Sequence, residues 1–400
     1  MTWGPELRFS HYVLIPVVLL LLVGCSSKQG LEVVPTPLTV INRAFTAGQA
    51  WSYRLPLSAD RFNGAGQHVV IADGNLYISD DRGVVHALSI DKGRSQWQYE
   101  TGLSLSSGVS YAQGLILVGS NDGDVMAIAA ADGQLRWRSR VSSEVLAPPT
   151  VSDGIVVVHT IDGQVAALDV ADGRRLWTYQ VQVPTLSLHG ISAPVIYQGR
   201  VIVGLADGRV IALNLRDGAL LWEITVAIPH GRSELERLVD IDANLVQFDE
   251  VLYAAAYQGR VVAVDMRSGR QLWARDMSVY RGLAVDADSL YVVDDQDGVW
   301  ALSRHNGATL WKQEGLIARG LTAPLLQGDY VIFGDLEGYV HWLKRQDGGF
   351  AARASVGDKP VIALQHDGSG ALYSVAQDGR LTKLLAGKGR PLPKITTRKK

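Results

Sequence analysis

The sequence predicts an all-β fold, an eight-bladed β-propeller of four-stranded blades that closes by pairing of its N- and C-terminal strands. The first supporting observation is a repeated phrase, D-G-x-V-x-A-L-x-x-x-D-G-x-x-x-W. Its copies end 38 to 51 residues apart at Trp97, Trp137, Trp177, Trp222, Trp273 and Trp311. The second observation is the alternation of apolar and polar residues within each copy, which indicates strands rather than helices. Repeats of about 40 residues with four strands are typical of propeller blades.

Each repeat contains the signals of four short strands. An alternating apolar run such as residues 115–118 precedes a glycine-bearing turn, and a second run such as residues 165–168 follows the equivalent turn. Two such runs around a turn predict a hairpin. A second Asp-Gly pair, for example Asp172-Gly173, turns the chain into the strand that carries the tryptophan. One more strand fits between that tryptophan and the next hairpin.

Counting the hairpins gives eight blades, which begin near Leu76, Leu115, Ile155, Val201, Val251, Leu290, Val331 and Leu372. The eighth repeat ends at Leu385 without a tryptophan strand, whereas residues 50–53 form a tryptophan strand that no hairpin precedes. We therefore expect the two ends to complete one blade, because such closure covers otherwise unpaired sheet edges. The propeller is assigned to residues 45–385, and the repeated tryptophans to its core.

The single cysteine, Cys25, marks a lipoprotein signal. It follows an apolar stretch, residues 12–23, that is short for a membrane span and fits a signal peptide. The run Leu22-Val23-Gly24-Cys25 resembles a bacterial lipobox, which implies cleavage after residue 24 and lipid attachment to Cys25. Ser26, rather than aspartate, follows the cysteine, and the resemblance to sorted bacterial lipoproteins then implies transport to the outer membrane. We assign residues 1–24 to the cleaved signal peptide and 25–44 to the lipidated cysteine and a flexible tether, and we expect the mature protein to face the periplasm.

The charge balance excludes one class of partner. The formal net charge is −2 and the pI is about 6.5, so no overall basic field exists to bind nucleic acid. Residues 386–400 form a basic C-terminal tail, which we interpret as a solvated terminus.

The sequence contains no recognisable catalytic motif. Gly64-Ala65-Gly66 lacks the third glycine of a dinucleotide fingerprint, and no G-x-S-x-G, H-E-x-x-H or Walker motif is present. The acidic run at residues 294–298 falls at a hairpin position and lacks EF-hand spacing, so we interpret it as a turn rather than a calcium site. We therefore assign no catalytic, cofactor-binding or metal-binding residue, and we expect neither a cofactor nor enzymatic activity.

Two adjacent connections between repeats are longer than the others. Gly208 follows Trp177 by 31 residues and Gly259 follows Trp222 by 37, whereas the equivalent distance in two earlier repeats is 26. Because both insertions occupy the same point of the repeat, we expect them side by side on one rim, where repeat proteins commonly bind partners. The first contains Leu186, Leu188 and His189, and the second contains Asp240 and Asp242. The alternative interpretation is that the two leucines are buried under their own loop and that the acidic residues are solvated loop charges.

The repeat resembles that of pyrroloquinoline quinone dehydrogenases, which are also eight-bladed propellers. That resemblance implies a second function, a quinone-dependent periplasmic oxidoreductase. These enzymes commonly place a disulfide of adjacent cysteines over the quinone and bind calcium through acidic and amide side chains. This chain has a single cysteine and cannot form that disulfide. A shared repeat alone does not confer the activity.

The lipobox, the eight repeats and the segments LSLHGISAP and RLVDIDANLV together resemble the BamB family, the propeller lipoproteins of the outer-membrane β-barrel assembly machinery (BAM). The resemblance covers essentially the whole chain. It implies a non-catalytic scaffold whose two long loops dock on a periplasmic POTRA domain of BamA, and through it on the BAM complex. The contact residues carried over are Leu186, Leu188, Asp240 and Asp242, and His189 stands where the family commonly has arginine. Direct binding of unfolded outer-membrane protein clients remains an open alternative.

Overall fold

The computed structural model describes residue 1 and residues 34–56, 69–184, 192–228, 239, 241, 245–279 and 281–387. The chain divides into a segment, Met1–Val34, and a body, Pro35–Lys400, and the fold given below is that of the body. Its described part consists of strands, turns and irregular connections, with no helix.

The described strands, in chain order, form the following series. The first half comprises β1 (Ala47–Arg54), β2 (Val70–Ala72), β3 (Asn75–Ser79), β4 (Val84–Ser89), β5 (Ser95–Glu100), β6 (Leu105–Ala112), β7 (Leu115–Ser120), β8 (Asp124–Ala129), β9 (Leu135–Arg140), β10 (Thr150–Ser152), β11 (Ile155–His159), β12 (Gln164–Asp169), β13 (Arg175–Gln180), β14 (Val195–Tyr197), β15 (Arg200–Gly204) and β16 (Arg209–Asn214). The second half comprises β17 (Leu220–Thr225), β18 (Val246–Phe248), β19 (Val251–Ala255), β20 (Arg260–Asp265), β21 (Gln271–Asp276), β22 (Leu283–Val285), β23 (Ser289–Val293), β24 (Val299–Ser303), β25 (Thr309–Gln313), β26 (Leu325–Gln327), β27 (Tyr330–Gly334), β28 (Tyr339–Lys344), β29 (Phe350–Ser355), β30 (Val361–His366), β31 (Ala371–Ala376) and β32 (Arg380–Ala386).

These strands form eight antiparallel sheets of four, numbered here from sheet 1 (β2 to β5) to sheet 7 (β26 to β29) in chain order. Sheet 8 joins β30, β31 and β32 to β1. The pairing of β1 with β32 runs from Ala47 opposite Ala386 to Arg54 opposite Arg380. First strands of neighbouring sheets contact each other, so they line the centre of the ring. The predicted eight-bladed propeller, closed by its terminal strands, is therefore confirmed.

Antiparallel order gives the ring two distinct faces. The turns that join the first to the second strand and the third to the fourth strand of a sheet lie on one side, which we call the turn face. The turns that join the second to the third strand lie on the other side, together with the connections between sheets. We call this side the connection face. Turn-face hairpins such as Asp73-Gly74 have φ of 49° and 74°, the type I′ geometry that matches strand twist.

Tryptophans of the outer strands join neighbouring sheets through a repeated indole contact. The ring of Trp137 in sheet 2 lies against Gly173 of sheet 3, where an added Cβ would come within 2.5 Å of the ring. Its indole N–H donates to the carbonyl of Val170 at 2.8 Å. Equivalent indole-to-carbonyl bonds in the described residues are made by Trp51, Trp97, Trp177, Trp222, Trp273 and Trp311. Glycine in the turn is required both by its positive φ and by the approach of the ring.

The last part of the segment assigned to the tether lies against the propeller. The amide of Ala44 donates to the carbonyl of Ala351 at 2.8 Å, and Leu38 packs on the apolar cluster between sheets 6 and 7. At the other end of the chain, β32 continues to Ala386.

Candidate functional site

The predicted partner-binding residues lie outside the described residues. These are Leu186, Leu188, His189, Asp240 and Asp242, and the predicted lipidation site Cys25 lies outside them as well. The structure instead defines the scaffold from which the two long connections emerge. Both connections run from the outer strand of one sheet to the first strand of the next, and their described ends therefore lie on the connection face.

The first long connection joins β13 to β14. At its start, the amide of Val181 donates to the carbonyl of Gly163 at 3.0 Å, and Val181 packs in the apolar core between sheets 3 and 4. At its end, Ser192 is fully buried. The hydroxyl of Ser192 lies beside Gly204 of β15, where an added Cβ would come within 2.9 Å of it. Both ends of this connection are thus fixed to the ring.

The second long connection joins β17 to β18. The amides of Val226 and Ala227 both donate to the carbonyl of Gly208, at 2.8 and 3.1 Å. Further along, Val239 and Ile241 are buried in the core between sheets 4 and 5. These apolar side chains anchor the part of the connection that precedes β18.

The two connections meet at Gly204. A Cβ added there would lie within 2.6 Å of the Ile241 side chain and within 2.9 Å of the Ser192 hydroxyl. The end of the first connection and the buried part of the second thus share one contact point at Gly204, the last residue of β15 in sheet 4. No side chain larger than that of glycine fits at this position without displacing one of them.

A shallow depression of about 400 Å³ lies beside the second connection. It is lined by Ala227 and Ile228 on one side and by Gln258, Arg260 and Asp276 of sheet 5 on the other. Arg260 is held in place because its Nε donates to the carbonyl of Val226 at 2.9 Å. Sequence reasoning missed this feature, since its polar residues come from strands that match the ordinary repeat.

Two buried Asp–His pairs occupy the same place in sheets 1 and 7. Asp80 lies 3.0 Å from His86, and Asp335 lies 2.8 Å from His341. Burial acts to raise the pKa of each carboxyl, but the histidine and backbone hydrogen bonds outweigh it, so both aspartate pKa values lie below the usual value. Burial lowers the pKa of His341, and Asp335 offsets only part of that effect. One oxygen of each carboxylate also accepts two backbone amides of its own turn, so the pairs act structurally.

The acidic run at residues 294–298 forms a turn whose first carboxylate is engaged within the protein. Asp294 Oδ1 accepts the amides of Gln296 and Gly298 at 3.0 and 2.7 Å, and its Oδ2 accepts the indole N–H of Trp300 at 2.8 Å. In the described ranges, no group of three or more His, Cys, Asp or Glu side chains is placed to hold a metal ion. Nor does any described segment form a helix long and apolar enough to cross a membrane.

Comparison with known proteins identifies the family. The model of the family described as "Outer membrane protein assembly factor BamB" matches residues 81–313. The BamB protein of Salmonella typhimurium is 37% identical over 371 residues, covering 90% of this chain and 94% of that protein. The BamB protein of Vibrio cholerae is 34% identical over 385 residues, covering 94% and 98%.

Solved structures agree on the fold. The crystal structure of BamB from Moraxella catarrhalis has a TM-score of 0.77 at 30% identity, covering 85% of this chain and all (100%) of that one. A quinohemoprotein alcohol dehydrogenase from Pseudomonas putida HK5 has a TM-score of 0.72 at 15% identity, covering 91% and 80%. Identity that low shows a shared propeller fold and nothing more. With two relatives above 30% identity over most of its length, the chain belongs to the family of the outer membrane protein assembly factor BamB.

Proposed function

We propose that this protein is a non-catalytic scaffold lipoprotein of the outer-membrane β-barrel assembly machinery. It docks on the POTRA region of BamA, and so joins the BAM complex and supports the folding and insertion of outer-membrane proteins. The observation that carries the proposal is that the two long connections leave neighbouring sheets on the same face of the ring, the connection face. Family membership supplies the role in assembly, since the relatives are named as assembly factors.

The second connection supplies the charged part of the proposed docking surface. Val239 and Ile241, on either side of Asp240, are 3% and 1% exposed and point into the core. Asp240 and Asp242 stand at alternate positions of the same stretch of sequence. Their carboxylates would accept bidentate hydrogen bonds from an arginine of the partner or form ion pairs with a lysine.

The first connection supplies the apolar part. Leu186 and Leu188 would act as buried anchors of the interface, with His189 as a hydrogen-bonding neighbour. An interface of roughly 1,200–2,000 Å² around these anchors is ordinary for a stable complex. The two described ends of this connection are fixed to the ring, through the amide of Val181 and the burial of Ser192.

Lipid attachment at Cys25 would place the protein on the periplasmic side of the outer membrane. The lipobox-like run and the serine that follows it support this location. Two acyl chains or more give stable anchoring, whereas a single chain binds only marginally. A membrane-held propeller docked through one face can orient the POTRA domains near the site of insertion.

Affinity capture from detergent-solubilised envelopes tests the proposal. The double variant Asp240→Lys/Asp242→Lys should lose BamA, while Asp91→Lys/Asp329→Lys should retain it. This control makes the same charge change at exposed positions on the turn face. Melting curves of each purified variant show whether the ring is intact. Retention of BamA by both variants would place the docking surface elsewhere.

The alternative function is a quinone-dependent oxidoreductase, which a separate measurement tests. The purified protein is incubated with pyrroloquinoline quinone and calcium, and the bound quinone spectrum and alcohol or sugar oxidation are recorded. A bound spectrum with turnover would replace the scaffold proposal. The scaffold proposal expects neither signal.

A further inference from the structure

In the described part of the chain, no outer-strand tryptophan packs across the junction between sheets 7 and 8, unlike at the other junctions. In sheets 1 to 6 an outer-strand tryptophan pairs with an alanine of the third strand, as Trp137 pairs with Ala127. Sheet 7 has the two residue types exchanged, because Trp342 of β28 pairs with Ala352 of β29. The outer strand of sheet 7 thus presents no indole to sheet 8.

Phe45, just before β1, supplies an aromatic ring at this junction. Its ring centroid lies 5.2 Å from that of Tyr330 and 5.8 Å from that of Trp342, in an edge-to-face arrangement with the latter. It packs on a buried cluster that includes Leu372 and Leu384 of sheet 8. Aromatic pairs in such geometry stabilise beyond the area they bury.

The residues that precede Phe45 are bound along the edge of sheet 7. The amide of Thr36 donates to the carbonyl of Ile317 at 3.0 Å, and the amide of Ala44 donates to the carbonyl of Ala351 at 2.8 Å. Between these points, Leu38 packs on the cluster formed by sheets 6 and 7. Residues 35–45, which we call the clasp, therefore run from the connection face to the turn face.

Two arginines hold the clasp by its backbone. Arg319, which is 1% exposed, donates to the carbonyl of Thr36 at 2.9 Å, and Arg353 donates to the carbonyl of Thr39 at 2.8 Å. The buried Asp335–His341 pair joins the two arginines. Arg319 Nε donates to Asp335 at 2.8 Å, and Arg353 Nε donates to His341 Nδ1 at 3.1 Å.

This network has a single consistent protonation pattern. Since His341 Nδ1 accepts from Arg353, its proton lies on Nε2, which donates to Asp335. Arg319 also bonds Glu337, so its charge is matched by two carboxylates. Desolvating charged groups is costly unless each is paired. Two hydrogen-bond donors of this charged network bind carbonyl groups of the clasp. This indicates that the propeller has a specific binding site for the clasp.

We propose that residues 35–45 close the ring at the junction of sheets 7 and 8 and fix the point at which the N-terminal segment leaves it. Thr36 is bound at the connection between sheets 6 and 7, so that point lies on the connection face. One consequence rests on the proposed function. If Cys25 carries the lipid, the stretch from it to Pro35 spans at most about 36 Å, which keeps the connection face near the membrane.

Hydrogen–deuterium exchange of the purified full-length protein tests the clasp. In Phe45→Ala, the amides of Thr36 and Ala44 and those of β29 and β30 should exchange at least about tenfold faster than in the wild type, while sheets 3 to 5 keep their rates. A factor of ten corresponds to about 1.4 kcal/mol. Val40→Ala is the matched control, because Val40 lies in the same segment and is fully exposed.

A second variant tests the network independently of Phe45. Arg353→Met removes the donor to Thr39 and should speed exchange in the same residues. The proposal is overturned if the amides of Thr36 and Ala44 exchange at free-peptide rates in the wild type, or if Phe45→Ala matches Val40→Ala. Neither result depends on BamA or on lipid, so failure of the clasp and failure of the scaffold function are distinguishable.

Discussion

The strongest quantitative prediction concerns the indole contact between sheets 2 and 3. Trp137 is 6% exposed, rests on Gly173 and donates its N–H to the carbonyl of Val170. Truncation by Trp137→Ala removes the ring and should lower the free energy of unfolding by about 3–5 kcal/mol. With a urea m-value of about 3 kcal/mol/M, the unfolding midpoint falls by roughly 1–1.7 M.

Substitutions of glycine distinguish the effect of the ring contact from that of backbone strain. In Gly173→Ala the new Cβ meets the Trp137 ring at 2.5 Å, and the residue must also hold φ near +73°. Gly114→Ala carries a similar positive φ, +76°, with nothing within 4 Å of the new Cβ. Left-handed backbone alone costs about 1–2 kcal/mol, and overpacking adds about 1–3 kcal/mol.

Urea unfolding followed by tryptophan fluorescence and by circular dichroism measures all three variants against the wild type. Gly173→Ala should be less stable than Gly114→Ala by the overpacking increment. Equal losses for the two glycine variants would refute the idea that the indole contact excludes a side chain at this turn. A loss below 1 kcal/mol in Trp137→Ala would refute the claim that the contact holds neighbouring sheets together.

Three further predictions follow from individual residues. Burial lowers the pKa of His159 from 6.5 to about 4 despite the nearby Asp162, so the histidine is neutral in the folded state. As the pH drops from 6.5 to 4, the histidine of the unfolded state binds a proton before that of the folded state does. The free energy of unfolding should therefore fall by up to about 3 kcal/mol over this range. The variant His159→Leu should show a smaller dependence of the free energy of unfolding on pH. Asp294→Ala removes the acceptor of three hydrogen bonds and should cost about 2–3 kcal/mol in urea unfolding, whereas the exposed Asp358→Ala should cost less than 0.5 kcal/mol. Gly204→Ala should displace Ile241 or Ser192 and reduce BamA capture while the melting curve stays cooperative, and unchanged capture would show that the contact point does not set the docking surface.

The repeat made the fold predictable because its signals are local and redundant. Each glycine-bearing turn sets a hairpin through positive φ, and each alternating run sets which side chains point into the space between sheets. Such signals recur in every blade. An irregular copy, such as the sixth, which is offset by one residue at Asp297-Gly298, therefore does not change the predicted number of blades. Closure of β1 on β32 was also predictable, since each end lacked the strand that the other supplied.

The clasp was not predictable from the same signals. Pro35, Pro37 and the absence of alternation favour an extended tether, and the segment makes few regular backbone bonds. Its partners, Arg319 and Arg353, lie far away in the chain and resemble ordinary surface arginines in sequence. How far these arginines are buried, and which groups they bind, depends on how sheets 6 and 7 pack against each other. No local sequence pattern specifies that packing.

The exchange of tryptophan and alanine in sheet 7 follows from how the ring is closed. An indole of the outer strand needs a glycine in the turn between the third and fourth strands of the next sheet. In sheet 8 those strands, β32 and β1, come from opposite ends of the chain, so no turn joins them. Gly387, at the end of β32, has positive φ but nothing within 4 Å of an added Cβ. With no turn glycine to receive it, an indole on β29 would lack its usual site, and the aromatic ring is supplied instead by the chain that enters β1. Terminal closure thus creates a junction at which residues 35–45, the clasp, become part of the core.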